Sequence, residues 1–287
     1  MEEQGKGRGG AQAELRERIR GRLSEGHLDV SAMPQTVGKV LRLLEAPDAS
    51  IAGIAQAVGR DQAIATHILG LANSAFYRGA VPASTLEQAI VRLGLRELKG
   101  AVLMMSLKGL FKDSRHPALA RALWRHSLAT AFVARRLAQL LGGSADETFV
   151  AGLIHDVGKM VLLTLYSGFE AADETPKISD GALSEVLSEF HVEAGRLLAA
   201  DWDLPAVAAE AVITHHANLA GIHSREGRCV ALANLLVHDM GFPSTGSGPG
   251  PDAVEEACRQ MNVDEAMKKA LAEEMPGMLE ELEISAL

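Results

Sequence analysis

Apolar residues recur at spacings of three and four along nearly the whole chain, and no stretch of note alternates with the period of two that a half-buried strand needs. Leu15, Ile19 and Leu23 share one helical face, as do Val37, Val40, Leu41 and Leu44, and then Ile51, Ile54, Ala55 and Val58. Stripes of this kind bury themselves by packing helix on helix. Aromatic residues are only 4% of a chain that is 47% hydrophobic, with Ala and Leu dominant, and these lose little freedom in a helix. The expected fold class is all-α and multi-helical.

Breakers and caps divide the pattern. Pro34 opens one helix, Ser50 caps the next and Gly59 ends it. Ile64, Ile68, Leu69 and Leu71 carry a further helix to Asn73-Ser74, short polar residues that cap or satisfy backbone groups. Ser84 with Glu87 reads as a capping box for a helix bearing Leu86, Ile90 and Leu93, which Gly94 ends. A long apolar helix then runs from Leu95 to about Phe111. Further helices are expected over 119–141, 145–166, 182–201, 204–218 and 226–240, separated by Gly142-Gly143, Pro176 and the stretch from Asp203 to Pro205. The run GFPSTGSGPGPD reads as a flexible connection. The expected organisation is a tail and amphipathic helix over 1–27, with 1–10 as a disordered lead and the helix docked on the body. An N-terminal helical subdomain follows over 28–112, a helical core over 113–240, the linker over 241–252, and a C-terminal helical segment over 253–287 that packs back through Val254, Cys258 and Met261.

A net charge of −9 gives little of the phosphate neutralisation on which nucleic-acid affinity rests. Residues 50–78 form helix, turn and helix, but offer only Arg60 and Arg78 as cations, so they read as core-packing helices rather than a DNA reader. Cys229 and Cys258 make no disulfide framework and match no zinc spacing. The start, Met1 to Gly10, lacks the apolar stretch of a signal peptide. No uninterrupted apolar run approaches the roughly 18 residues of a membrane span. A cytoplasmic protein without a membrane span is expected.

His126, His155, His191, His215 and His216 form a series whose intervals each amount to about one helix, a turn and part of the next helix. Successive antiparallel helices could present them to one centre. His155 is followed directly by Asp156, an imidazole and a carboxylate suited to Fe, Mn, Zn or Ni. Lys159, one turn on, can pair with that carboxylate or face an anionic substrate. His67, His116, His223 and His238 read as ordinary core or surface residues.

These residues sit in blocks that resemble the HDOD domain, a member of the HD-domain metal-hydrolase superfamily usually found as a signalling output. The blocks are MPQTVGKVLRLLE (33–45), ILGLANSAFY (68–77), AIVRLGLRELK (89–99), LWRHS (123–127), AGLIHDVGK (151–159), FHVEAGRLLAADWDLP (190–205) and ITHH (213–216). The resemblance implies an N-terminal helical subdomain on an HD-like helical core. In the related HD-GYP enzymes, which hydrolyse a cyclic dinucleotide, metal ligands fall at positions matching His126, His155, Asp156, His191, His215 and His216. Two acidic positions of that pattern are changed: Ala122 stands four residues before the first histidine, and Asn234 stands where the closing aspartate belongs. The Glu-Arg…Gly-Tyr-Pro run expected after His216 is absent. An amide cannot compensate a dication's charge as a carboxylate does. The resemblance therefore implies a non-catalytic signalling regulator with a degenerate metal site, acting through contacts with a protein partner. The alternative is a metal-dependent phosphohydrolase for a nucleotide or cyclic dinucleotide, with Lys159 as the one candidate catalytic group; a nucleotide ligand fits either reading.

Overall fold

The computed structural model describes the chain except for residues 1, 27, 29–38, 41, 45, 47, 74–76, 78, 112–113, 203, 246–247, 249 and 287. Among the described residues there is no strand. In chain order the helices are α1 (Glu2–Ser24), α2 (Ile51–Val58), α3 (Gln62–Asn73), α4 (Leu86–Phe111), α5 (Pro117–Leu141), α6 (Ala145–Ile154), α7 (Val157–Ala171), α8 (Asp180–Asp201), α9 (Ala206–Thr214), α10 (Arg225–Asp239), α11 (Pro251–Met261) and α12 (Glu265–Ala286). Two compact units result: Met1–Val30 with Leu110–Glu273, and Ser31–Gly109 with Glu274–Leu287.

In the second of these units α2, α3 and α4 bury Ile54, Val58, Ile64, Ile68, Ile90 and Leu98 in one cluster. Ser50 caps α2 by accepting from the Gly53 amide. Gly94, at φ +80°, breaks the helical backbone of α4 where the sequence places a stop. The cap of α4 falls one residue later than expected. Thr85 accepts from the Gln88 amide, and Gln88 reaches back to the Ser84 amide and hydroxyl. Gln88 thus fills the role assigned to Glu87. Asn73 exchanges two hydrogen bonds with the Ala83 backbone, at 2.7 and 2.9 Å, while Ser74 and, of the helix expected from Pro34, Pro34, Val37 and Leu41 lie outside the described residues; Val40 is buried in the cluster and Leu44 packs against it.

The other unit holds the histidine series. The helix α1 buries Leu15, Ile19 and Leu23 and lies along α8, where Gln12 donates to Ala182 O and Glu185 and Arg16 pairs with Glu189 at 2.6 Å. Each buried leucine or isoleucine contributes about 1.5–3 kcal/mol, whereas the exposed ion pair adds at most about 1 kcal/mol. The helix starts at Glu2 rather than near Ala11, because docking of its later turns supplies the nucleus from which residues before them need only propagate. Two glycines let the backbones of neighbouring helices come close in this unit. A Cβ on Gly152 would lie 2.8 Å from Ala131 Cα of α5, and one on Gly158 would lie 1.9 Å from His191 O of α8. The stretch Ala145–Ala171 is the one most apolar by length and composition, and 89% of that window is buried within the protein. It is a core pair, α6 and α7. Val254 and Cys258 of α11 are buried as expected.

Candidate metal centre

His155 and Asp156 stand at a break that the sequence does not show. A single helix is expected over 145–166, but α6 ends at Ile154 and α7 begins at Val157, with Asp156 at φ −99°, ψ 17°. In an unbroken helix neighbouring side chains point about 100° apart; the break turns the ring and the carboxylate into one space. Gly152 and Gly158 flank it and admit α5 on one side and α8 on the other. His126 of α5, His191 of α8, the His215-His216 end of α9 and Asn234 of α10 complete the surround. His126, His155, Asp156, His191, His215 and Asn234 are all buried, while His216 is exposed on its outer side. The structure thus brings every histidine of the series to one place, in two groups that share Asp156 and can hold a metal ion.

The position of the protons decides what this place is. His126 Nδ1 donates to Phe242 O at 2.7 Å, His155 Nδ1 to Gly152 O at 2.7 Å, His191 Nδ1 to Ser188 O at 2.8 Å, and His215 Nδ1 to Ala211 O at 2.9 Å. A neutral imidazole has one N–H, so each Nε2 carries a bare lone pair. Those lone pairs converge: Nε2 of His126 and His155 are 3.2 Å apart, those of His191 and His215 are 3.2 Å apart, and those of His191 and His216 are 3.0 Å apart. No proton lies between His126 and His155 or between His191 and His215, whereas His216, whose Nδ1 is not tied to a backbone carbonyl, can donate from Nε2 to His191. Backbone carbonyls that fix the tautomer and aim Nε2 inward are the usual support of a metal-ligating histidine.

Asp156 divides the space. Its Oδ1 lies 3.3 Å from His215 Nε2 and 3.6 Å from His191 Nε2. Close as it is, His215 Nε2 has no proton to give, and Oδ1 stays buried without a hydrogen-bond donor. The other oxygen, Oδ2, lies 3.5 Å from His155 Nε2 and 3.7 Å from His126 Nε2, but only 2.7 Å from the Lys159 ammonium. Lys159, 3% exposed, also donates to Ser244 Oγ at 2.9 Å. The amide of Asn234 lies 3.0 Å from His126 Nε2. The atom placed there is Oδ1; because that nitrogen accepts, the amide satisfies it once turned so that its NH2 faces it, the two ends being alike in shape. Half-buried Ala122, one turn before His126 on α5, offers no donor.

Burial keeps the rings of His126, His155, His191 and His216 uncharged at neutral pH. It pushes His126 and His191 down to about 4 against the pull of Asp156, and holds His155 well below the usual range. Burial of its ring, with His215 and His191 alongside, pushes His216 down to about 3. Burial alone would raise Asp156, but the Lys159 ammonium beside it holds it well below the ordinary carboxylate range. Neutral imidazoles around an anion are the protonation states a metal requires.

Sequence reasoning missed three parts of the surround. His238 stacks edge-on against His126 at 4.9 Å, and its position four residues after Asn234 on α10 was the available signal. Ser244 and Thr245 are buried, and Thr245 bonds Ser188 at 2.8 Å. They lie in the stretch expected to be a flexible connection, where Gly, Pro and Ser signal a loop but not that it closes a site. A cavity of about 470 Å³ opens beside the centre, lined in part by Lys159, Ser188, His191, His216, His238 and Thr245.

Residues 30–218 match the family model of the HDOD domain. An uncharacterised protein of Treponema pallidum (strain Nichols) is 26% identical over 198 residues, 66% of this chain, and the chain spans only 38% of that protein's length. Three solved structures resemble this one. A Shewanella amazonensis SB2B protein, named provisionally as a metal-dependent phosphohydrolase, aligns with a TM-score of 0.76 at 21% identity over 97% of this chain and 100% of its own. An HDOD domain protein of unknown function from Geobacter sulfurreducens aligns with a TM-score of 0.66 at 24% identity over 96% of this chain and 97% of its own. A Marinobacter aquaeolei VT8 protein, named provisionally for signal transduction, aligns with a TM-score of 0.68 at 17% identity over 96% of this chain and 65% of its own. At these identities the likeness establishes a shared fold.

Proposed function

This chain belongs to the HDOD domain family, and from that premise we propose that it is a non-hydrolytic signalling regulator whose histidine centre binds a divalent transition metal. One observation carries the reading. The histidines lock their protons outward onto backbone carbonyls, so a buried carboxylate oxygen and a cluster of imidazole lone pairs face one another with no proton between them. Like lone pairs at this spacing repel, and a cation relieves them. Imidazole with carboxylate suits Fe, Mn, Zn or Ni, and the donors present fit such an ion. When bound, the metal would supply charge that holds α7, α8 and α9 to one geometry, and the regulator would report that geometry to a protein partner.

Hydrolysis is the less favoured function. Metal-assisted attack on a phosphodiester needs charge compensation and an activated water. Here Asn234 replaces a carboxylate and can turn its NH2 to a would-be ligand, and Lys159 is held between Asp156 and Ser244. The cavity beside the centre is what favours a phosphohydrolase, since a nucleotide could enter there. The cytoplasmic placement belongs to the same proposal. It accords with buried free thiols, one of which, Cys229, burial pushes up to about 12.

Metal analysis of the purified protein, followed by a screen of nucleotides and cyclic dinucleotides, tests the reading. Bound transition metal without turnover is expected. Turnover that His155→Ala and Asp156→Ala abolish would establish the phosphohydrolase instead.

A further inference from the structure

The two oxygens of Asp156 look into two unequal half-sites, and the difference reaches beyond whether a metal binds. Around Oδ1 stand His191 and His215, each with Nε2 turned inward by a backbone bond at Nδ1, and His216, whose Nε2 faces that of His191 and completes a group able to hold an ion. Donors about 2.1 Å from one ion lie roughly 3.0–3.4 Å from one another, depending on whether the geometry is octahedral or tetrahedral. The separations here match: 3.0 Å from His191 to His216, 3.2 Å from His191 to His215, and 3.3 Å from His215 to Oδ1. His191 stands slightly farther from Oδ1, at 3.6 Å. His216 and His191 also line the cavity, which leaves this half an open side.

Around Oδ2 the same histidine chemistry is already answered. The Lys159 ammonium is 2.7 Å from Oδ2, nearer than either His155 at 3.5 Å or His126 at 3.7 Å. Its position is fixed by Ser244. Ser244 in turn sits in a segment tied down on both sides, by Phe242 O accepting from His126 and by Thr245 bonding Ser188. Asn234, neutral, takes the lone pair of His126. A dication placed here would face a buried ammonium at the one anionic oxygen and would gain no second carboxylate.

We infer that the centre takes one divalent metal, bound by His191, His215, His216 and Asp156 Oδ1, while Lys159 and Asn234 occupy the His126–His155–Oδ2 half in its place. This inference rests on the metal-binding reading above and specifies where and how many. Lys159 is then a built-in cation and a positioning residue: it fixes the carboxylate whose free oxygen the metal takes. The ligand is a borderline cation such as Mn, Fe, Co, Ni or Zn.

The test is metal stoichiometry on the full chain, stripped by chelator, reloaded with Mn(II) or Co(II), and read by elemental analysis and by the Co(II) absorption and magnetic-resonance spectra. About one ion per chain is expected for the unmodified protein, with a spectrum free of metal–metal coupling. His215→Gln and His216→Gln should each weaken Mn(II) binding by 100-fold or more, while His126→Gln keeps one ion with its affinity changed less than tenfold. Pairing Lys159→Met with Asn234→Asp should admit a second ion. Two ions in the unmodified chain, or loss of the single ion in His126→Gln, overturns the inference and leaves the metal-binding reading standing. No ion at millimolar Mn(II) or Co(II) sinks that reading and this inference together. Should the paired variant fail to fold by circular dichroism, the count in the unmodified chain and in His126→Gln decides.

Discussion

Two polar clusters, one in each compact unit, are built in opposite ways. Around Asn73, in the unit of residues 31–109, donors meet acceptors. Asn73 gives and takes one hydrogen bond each with Ala83, Arg92 donates to Ala72 O, Asn73 Oδ1 and Val81 O, and Tyr77 donates to Glu97 at 2.7 Å. Those contacts tie the turn after α3 to α4 and complete themselves. In the histidine unit, acceptors meet acceptors: imidazole lone pairs face one another and a carboxylate oxygen that receives no proton. A satisfied polar cluster specifies a fold and asks for nothing more, whereas a cluster of like partners is incomplete without a cation.

The largest expected effect falls where that contrast is sharpest. Asp156→Ala removes the one anion of the centre and leaves the buried Lys159 without a counter-charge, at a cost of about 3–5 kcal/mol. Denaturant unfolding checks this, and adding Lys159→Met should recover much of the loss; no recovery would mean that Lys159 is not what Asp156 balances. Gly158→Ala forces apart two backbones whose approach a Cβ would place at 1.9 Å from His191 O. A loss of about 3 kcal/mol is expected together with weaker Mn(II) uptake, and intact uptake would detach the α7–α8 contact from the centre. Asn73→Ala should cost about 1–2 kcal/mol by orphaning the Ala83 backbone groups, yet leave metal stoichiometry unchanged. A change in metal content there would erase the distinction between self-completing and incomplete clusters.

The smallest effect concerns Glu210, which accepts from the amides of His223 and Ser224 and from the Ser224 hydroxyl, holding the loop between α9 and α10. Partial burial alone would raise its carboxyl, but the hydrogen bonds from Ser224 and His223 bring it below the ordinary value of a glutamate. A folded-state value below the unfolded one means stability that is present above pH 4.5 and lost as pH falls through the lowered value. Glu210→Gln should therefore destabilise by about 1 kcal/mol or less at pH 7 and show no difference from the unmodified protein at strongly acidic pH. A gap between the two that persists in acid would assign the effect to shape rather than charge.

Much of the helical frame was legible from local pattern. The stripe of Leu15, Ile19 and Leu23, the cap at Ser50 and the stop at Gly94 are encoded within a few residues of where they act, and the structure places them as expected. Thr85 rather than Ser84 caps α4 because adjacent hydroxyl residues offer the same chemistry and only the entry angle of the chain chooses between them. The break at His155-Asp156 was hidden. Apolar residues run through it without a proline, and what stabilises it is the approach of α5 and α8 through Gly152 and Gly158. Phe242, Ser244 and Thr245 were hidden for a related reason: a Gly-, Pro- and Ser-rich run announces a loop, but what that loop packs on is decided elsewhere in the chain.

By itself, the sequence determined that this protein is a stack of helices and which histidines could share a centre. Those properties follow from periodicity and side-chain identity, which are local. Only the tertiary structure decided where each imidazole keeps its proton, which oxygen of Asp156 stays bare, and that Lys159 stands at the other. His126 takes its orientation from Phe242, 116 residues away, and Lys159 from Ser244, 85 residues away. Contacts at that separation form only once the helices have packed, and no local pattern can carry them.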